Sequence, residues 1–177
     1  MSEPAVERSA QAWIERLGLT PVPVGGWFAV AMGTDERVAG PALPARFGGT
    51  RALYSSNWYL LDAGQVLRLH LLHQDELWFF HTGGPIRLHV FSESNGYSAT
   101  TLGSDPSAGE AWHGVAPHST WFGAELLEAT YALVTCSLSP GYDPADSFVP
   151  TTGDLHRLTT TFPEHTDLLA RLSGGAT

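Results

Sequence analysis

Through most of the chain, short apolar stretches four to ten residues long alternate with turn residues, and helical spacing appears only near the two ends. Val6, Ala10, Trp13, Ile14 and Leu17 recur at helical spacing over 4–17, between Pro4 and Gly18. This predicts an amphipathic helix packed on the body through Trp13 and Ile14. Residues 21–49 are rich in Gly and Pro and hold one short strand, 27–32, so they read as an arm wrapping the body. A strand is predicted over 51–61. The stretch 64–83 then reads as an apolar strand, a polar break at Gln74-Asp75 and an aromatic strand closed by Thr82-Gly83-Gly84-Pro85. Further strands are predicted at 86–91, 97–102, 112–117, 121–124 and 130–138, with Ser94-Asn95-Gly96 as a hairpin turn. Pro163 opens a last helix whose Leu168, Leu169 and Leu172 face inward, and Ser173-Gly174-Gly175 closes it.

Short strands at about ten-residue spacing predict an all-β sandwich or barrel, with helices confined to its ends. The 177 residues suffice for one domain with a buried core. They divide into a helix and arm (1–49), a barrel (50–149) and a C-terminal segment with a helix (150–177). A net charge of -9 with no basic run argues against nucleic-acid or anionic-membrane partners. No membrane span or signal peptide is legible, and the single cysteine, Cys136, fits a reducing cytoplasm. No nucleophile elbow, phosphate loop or dinucleotide fingerprint is present, which removes serine hydrolase, NTPase and dehydrogenase readings.

Ionisable residues occur where the strands otherwise hold Val and Leu. Strict alternation puts Val66, Arg68, His70 and Leu72 on one face, and Glu76, Trp78 and Phe80 on one face of the next strand. An Arg, a His and a Glu inside a barrel require one another, water or a ligand. His70 with Glu76 reads as a proton-transfer pair, or else His70 is a core histidine satisfied by a hydrogen bond. Arg68 reads as an oxyanion or carboxylate clamp, or as a solvated residue if the strand is shifted by one position. Tyr59 and Asn57 are candidate donors to a ligand carbonyl, with Tyr59 a second acid. Trp78, Phe80, Trp121 and Phe122 are candidate pocket walls or ordinary core, and His113 is a further candidate contact.

Several of these residues carry a family resemblance. Gly64-x5-His70, Glu76 and Gly83 resemble the first cupin signature, and Gly109 through Pro117-His118-Ser119-Thr120-Trp121 resembles a drifted second one. The chain is more closely similar to the cupin-five family, through Gly25-Gly26-Trp27-Phe28, Arg51 before Trp58-Tyr59-Leu60-Leu61, Leu69-His70 to Glu76-Leu77-Trp78, Pro117 to Trp121, and Pro140-Gly141-Tyr142 before Ser147-Phe148. This resemblance, over residues 19–148, implies a double-stranded β-helix (jelly-roll) barrel. Three departures stand out. Leu72 and Phe122 occupy positions where metal-binding cupins place His; Val22-Pro23-Val24 stands where the family has His-Pro-Glu; Arg68 replaces a small residue.

The expectation that follows is a small-molecule enzyme without a cofactor, of isomerase, epimerase or cyclase type. It transfers protons on an organic substrate bearing a carbonyl or carboxylate, with His70, Glu76, Arg68 and Tyr59 catalytic. One alternative is a metal-dependent cupin oxygenase or lyase holding one divalent transition metal through His70, His73 and Glu76, with His113 or His81 completing the set. Another is a non-catalytic binder of a small apolar ligand. A homodimer formed through sheet edges is expected. The segment 22–26 is expected to cover a barrel edge or mouth.

Overall fold

The computed structural model describes residues 9–127 and 130–174. Helix α1 (Ala10–Leu17) is capped by the Ser9 hydroxyl, which accepts from the Ala12 N–H, and by Gly18 in the left-handed conformation. Pro4 and Val6, the predicted first turn, lie outside the described residues. The strands that follow are β1 (Thr20–Pro21), β2 (Trp27–Gly33), β3 (Arg37–Val38), β4 (Arg51–Ala52), β5 (Ser55–Asp62), β6 (Val66–Leu72) and β7 (Glu76–Gly83). They continue with β8 (Ile86–Ser92), β9 (Gly96–Leu102), β10 (His113–Ala116), β11 (Trp121–Leu126), β12 (Tyr131–Leu138) and β13 (Ser147–Phe148). The single strand expected over 51–61 is two, β4 and β5, separated by Leu53-Tyr54. The C-terminal segment holds two helices rather than one. These are α2 (Thr152–Thr161), opened by a Thr151–Asp154 capping box, and α3 (Thr166–Leu172), with Pro163 in the 3-10 turn between them.

The strands form an antiparallel sheet in the order β1-β2-β5-β12-β7-β10 and a second in the order β13-β6-β11-β8-β9. This is the expected jelly-roll. Tyr59, Leu67, Leu72, Trp78, Val90, Phe122, Val134 and Cys136 come from both sheets into one buried cluster between them. Each fully buried Leu or Phe contributes about 1.5–3 kcal/mol relative to an exposed one. The helices cover the outer faces. Ile14 of α1 packs on Leu60 and Leu133, while Trp13 Nε1 donates to the Tyr131 hydroxyl at 3.2 Å. Leu158 of α2 and Leu168, Leu169 and Leu172 of α3 cover Leu69, Phe91 and Trp121. None of the described helices is long and apolar enough to cross a membrane.

A bulge in β6 decides which side chains face inward. Phe122 pairs with His70 and Ala124 with Leu67, so two steps along β11 match three along β6. Leu67, His70 and Leu72 consequently point into the barrel, while Leu69 turns out beneath the helices. Gly123 makes the bulge feasible, because a Cβ there would stand 2.8 Å from the Leu67 carbonyl oxygen and against the Leu172 side chain. The strict alternation expected for this strand is therefore broken at Arg68-Leu69.

The arm closes the barrel as a hairpin. β1 pairs with β2, and the tip, residues 22–26, crosses the mouth. Val24 C=O accepts from the Arg68 N–H at 2.7 Å, and Gly25 C=O accepts from the Tyr59 hydroxyl at 2.9 Å. Gly25 and Gly26 have φ of 97° and 79°, and side chains at these positions would collide with the Val66 carbonyl and the Tyr59 ring.

Outside the barrel, Arg51 is buried and bidentate to Asp146, both bonds 2.7 Å long, and Gln74 Nε2 donates to the same carboxylate at 2.8 Å. This pin ties β4 to the segment after β12. The Arg51 guanidinium holds the Asp146 carboxyl below its ordinary range despite burial.

Candidate active site

Between the two sheets and beneath the arm lies a cavity of about 510 Å³, within the range of small-molecule sites. Val22 and Val24 of the arm, Phe28, Leu67, Leu72, Trp78 and Leu138 provide its apolar walls. Asn57, Tyr59, His70, Glu76 and Cys136 face it with polar groups, and Ser55, Ser56, Tyr142 and Ser147 also line it.

Glu76 opens β7 and shares a face with Trp78 two residues on, as alternation predicted. It is only 8% exposed. Trp78 Nε1–H donates to Glu76 Oε2 at 2.8 Å, and no described Arg approaches to form an ion pair. Burial therefore dominates, lifting the Glu76 pKa from 4.5 to about 7, with the indole hydrogen bond opposing. The carboxyl is poised to hold or release a proton near neutral pH.

His70 packs against Phe122 in a tilted arrangement, with ring centroids 4.1 Å apart and the planes 54° from parallel. Its Nδ1 lies 2.9 Å from the Arg68 carbonyl oxygen. A carbonyl only accepts, so Nδ1 carries the proton and Nε2 is a lone-pair acceptor. Burial lowers the His70 pKa to about 4, only partly offset by that hydrogen bond, so the ring is neutral at pH 7. Tyr59 stands edge-on to Trp78 at 5.8 Å, and its hydroxyl proton is committed to the Gly25 carbonyl. Burial drives its pKa well up. Its ring walls the cavity while its hydroxyl pins the arm.

The other predicted residues lie elsewhere. Arg68 is exposed, on the wrong side of the β6 bulge and beside Gly174 at the end of α3, so it reaches no ligand in the cavity. Trp121 points outward beneath the C-terminal helices, and Phe122 is wholly buried behind the His70 ring. Phe80 packs against the core without lining the cavity. His113 is exposed on the outer sheet face, paired with Phe79. His73 lies between Phe47 and Phe148, its Nδ1 3.6 Å from Asp146. Phe28, Val22, Val24, Leu67, Leu138 and Cys136 were not among the predicted ligand contacts. The glycine pair after Val24 was the signal for the arm, and Gly123 within an apolar strand was the signal for the bulge.

A metal fits poorly. Inside the cavity His70 and Glu76 are donors, whereas Leu72 and Phe122 stand at the other two ligand positions and His73 belongs to a different cluster. Among the described residues no group of three His, Cys, Asp or Glu is arranged to hold an ion.

Comparison with known proteins places this geometry in a family. No curated protein matches the sequence. A hypothetical protein from Leishmania major is similar at 27% identity, over 93% of this chain and 98% of that one, with a TM-score of 0.80. A protein from Shewanella oneidensis is similar at 28% identity, over 94% of this chain and 98% of that one, with a TM-score of 0.79. Oxalate decarboxylase from Bacillus subtilis shares the fold alone, at 17% identity and a TM-score of 0.52, over 88% of this chain and 37% of that one. Residues 11–149 match the family model Cupin_5, described as cupin superfamily (DUF985), and the chain belongs to that family.

Proposed function

We propose that the barrel is the site of a proton-transfer reaction on a small organic molecule, of isomerase, epimerase or cyclase type, performed without a metal. The observation that carries this reading is Glu76, a carboxyl buried in an apolar cavity, without a cationic partner among the described residues and with a pKa of about 7. A group with its pKa near working pH exchanges protons in both directions at the lowest cost. Glu76 takes the central role that the sequence suggested for His70. In its ionised form Oε1 accepts a proton from a carbon adjacent to a carbonyl while Oε2 stays bonded to Trp78. The carboxyl exchanges its proton with solvent, and a proton is then returned from it to another carbon to complete isomerisation, or reaches the opposite face of the same carbon from water to complete epimerisation. His70 Nε2 accepts from a ligand hydroxyl or N–H and fixes its orientation, and the Asn57 amide polarises the carbonyl. We extend the proposal to a cytoplasmic homodimer.

The test is solvent exchange. Purified protein is incubated in deuterated buffer with a panel of enolisable ketones, and loss of the α-proton signal is followed by NMR with and without a chelator. Acceleration that survives chelation and falls by roughly 10²–10⁴-fold in Glu76→Gln is expected for a positioned acid or base. Activity abolished by chelation and restored by one added metal would sink the reading, as would full activity in Glu76→Gln.

A further inference from the structure

All nine Lys and Arg positions of this chain are arginines, and none of the eight among the described residues lines the cavity. Arg51 is spent on Asp146 and Arg46 on the His73 carbonyl. Arg87 donates to Thr101, Arg157 pairs with Glu93 and Asp154, and Arg171 pairs with Glu125. Arg16, Arg37 and Arg68 are exposed. The arm contributes Val22 and Val24 to the cavity, and the imidazole within it is fixed as an acceptor by the Arg68 carbonyl. An anionic ligand would thus be stripped of water against apolar walls beside the Glu76 carboxyl, with no described arginine to neutralise it. An uncompensated buried charge costs far more than such walls return. An ammonium would find the Glu76 carboxylate. Both ions would then be desolvated, and such a pair recovers that cost only with further hydrogen bonds. Trp78 Nε1 is the donor this carboxyl has among the described residues.

We infer that the cavity selects an uncharged, largely apolar ligand carrying a carbonyl acceptor together with a hydroxyl or N–H donor, and rejects carboxylates. This rests on the cavity proposed above being the ligand site, whether or not it catalyses, and it removes the carboxylate substrates that an inward Arg68 would have served. Three probes of similar shape test it: 4-hydroxyacetophenone, 4-hydroxybenzoate and 4-hydroxybenzylammonium. Each is titrated at neutral pH into the full chain and into Glu76→Gln, following ligand line broadening by NMR. The variant preserves an acceptor for Trp78. The ketone should bind the wild type about tenfold or more tighter than either ion, a gap of about 1.4 kcal/mol or more. In Glu76→Gln the benzoate should gain more affinity than the ketone, because a like charge has gone. Benzoate or ammonium binding as tightly as the ketone overturns the inference, and so does a ketone that fails to bind. A retained ketone preference with no solvent exchange would remove the catalytic reading and leave this one standing.

Discussion

Glu76 and His70 occupy one cavity, yet burial moves their proton equilibria in opposite senses, because one is charged when deprotonated and the other when protonated. Folded Glu76 keeps its proton up to about pH 7, whereas its ordinary value is 4.5. Its contribution to stability is therefore complete below pH 4.5 and is lost as pH rises through 7. His70 behaves in the reverse way. Its neutral form is favoured in the fold, so its contribution is complete above pH 6.5 and is lost as pH falls towards 4. Replacing Glu76 by Gln removes the first dependence and leaves the second. Urea denaturation should then show the wild type losing up to about 3 kcal/mol relative to Glu76→Gln between pH 4.5 and 7. Parallel pH profiles would mean that this carboxyl is not desolvated in the fold.

At the level of elements, the arm and β6 form one device. The arm is held over the mouth by two backbone carbonyls, one accepting from the Arg68 N–H and the other from the Tyr59 hydroxyl. Arg68, expected as a ligand clamp, serves instead through its backbone. Both ends of that peptide are used, since its N–H holds the arm and the Arg68 carbonyl fixes the His70 tautomer. Gly26→Ala would force a methyl group against the Tyr59 ring at a residue with φ of 79°. The arm must then lift, and stability should fall by about 1–3 kcal/mol. Acrylamide quenching should reach Trp78, which is 1% exposed beneath it; a Gly26→Ala/Trp78→Phe double variant isolates that signal from the other five tryptophans. Unchanged quenching and stability would show that the arm does not seal the cavity.

On the scale of the whole molecule, the outer face of the six-stranded sheet is the region for the proposed dimer. Leu77 pairs with Val115 and Phe79 with His113 between β7 and the outermost strand β10, and Leu77, Phe79, Val115 and Trp112 are all exposed. The next strand adds Ser137 and Thr135 opposite the same residues, and none of these described residues is a carboxylate. For a chain with a net charge of -9, a second copy docking on such a patch would bring no like charges together there. Sedimentation velocity should give a dimer for the wild type and a monomer for Phe79→Glu, with the cavity intact. A wild type that is monomeric at all accessible concentrations would refute it.

The sequence by itself determined the class of fold, the helix α1 and the inward face of β7. Those features follow from local periodicity and from turn residues, which act over a few positions. It also marked the chemistry, because a Glu and a His among apolar strand residues are costly wherever the strand is buried. Only the tertiary structure decided which of the two exchanges its proton near neutral pH and that Arg68 does not reach it. Alternation along β6 is a local rule, and the bulge that breaks it depends on Gly123 of a strand more than fifty residues away and on Leu172 packed above it. A one-residue change of register moves every following side chain to the other face. That change put Arg68 outside and left His70 inside. Likewise, the shift that sets Glu76 near neutrality comes from desolvation by both sheets and the arm together, a sum of contacts that no single stretch of sequence contains.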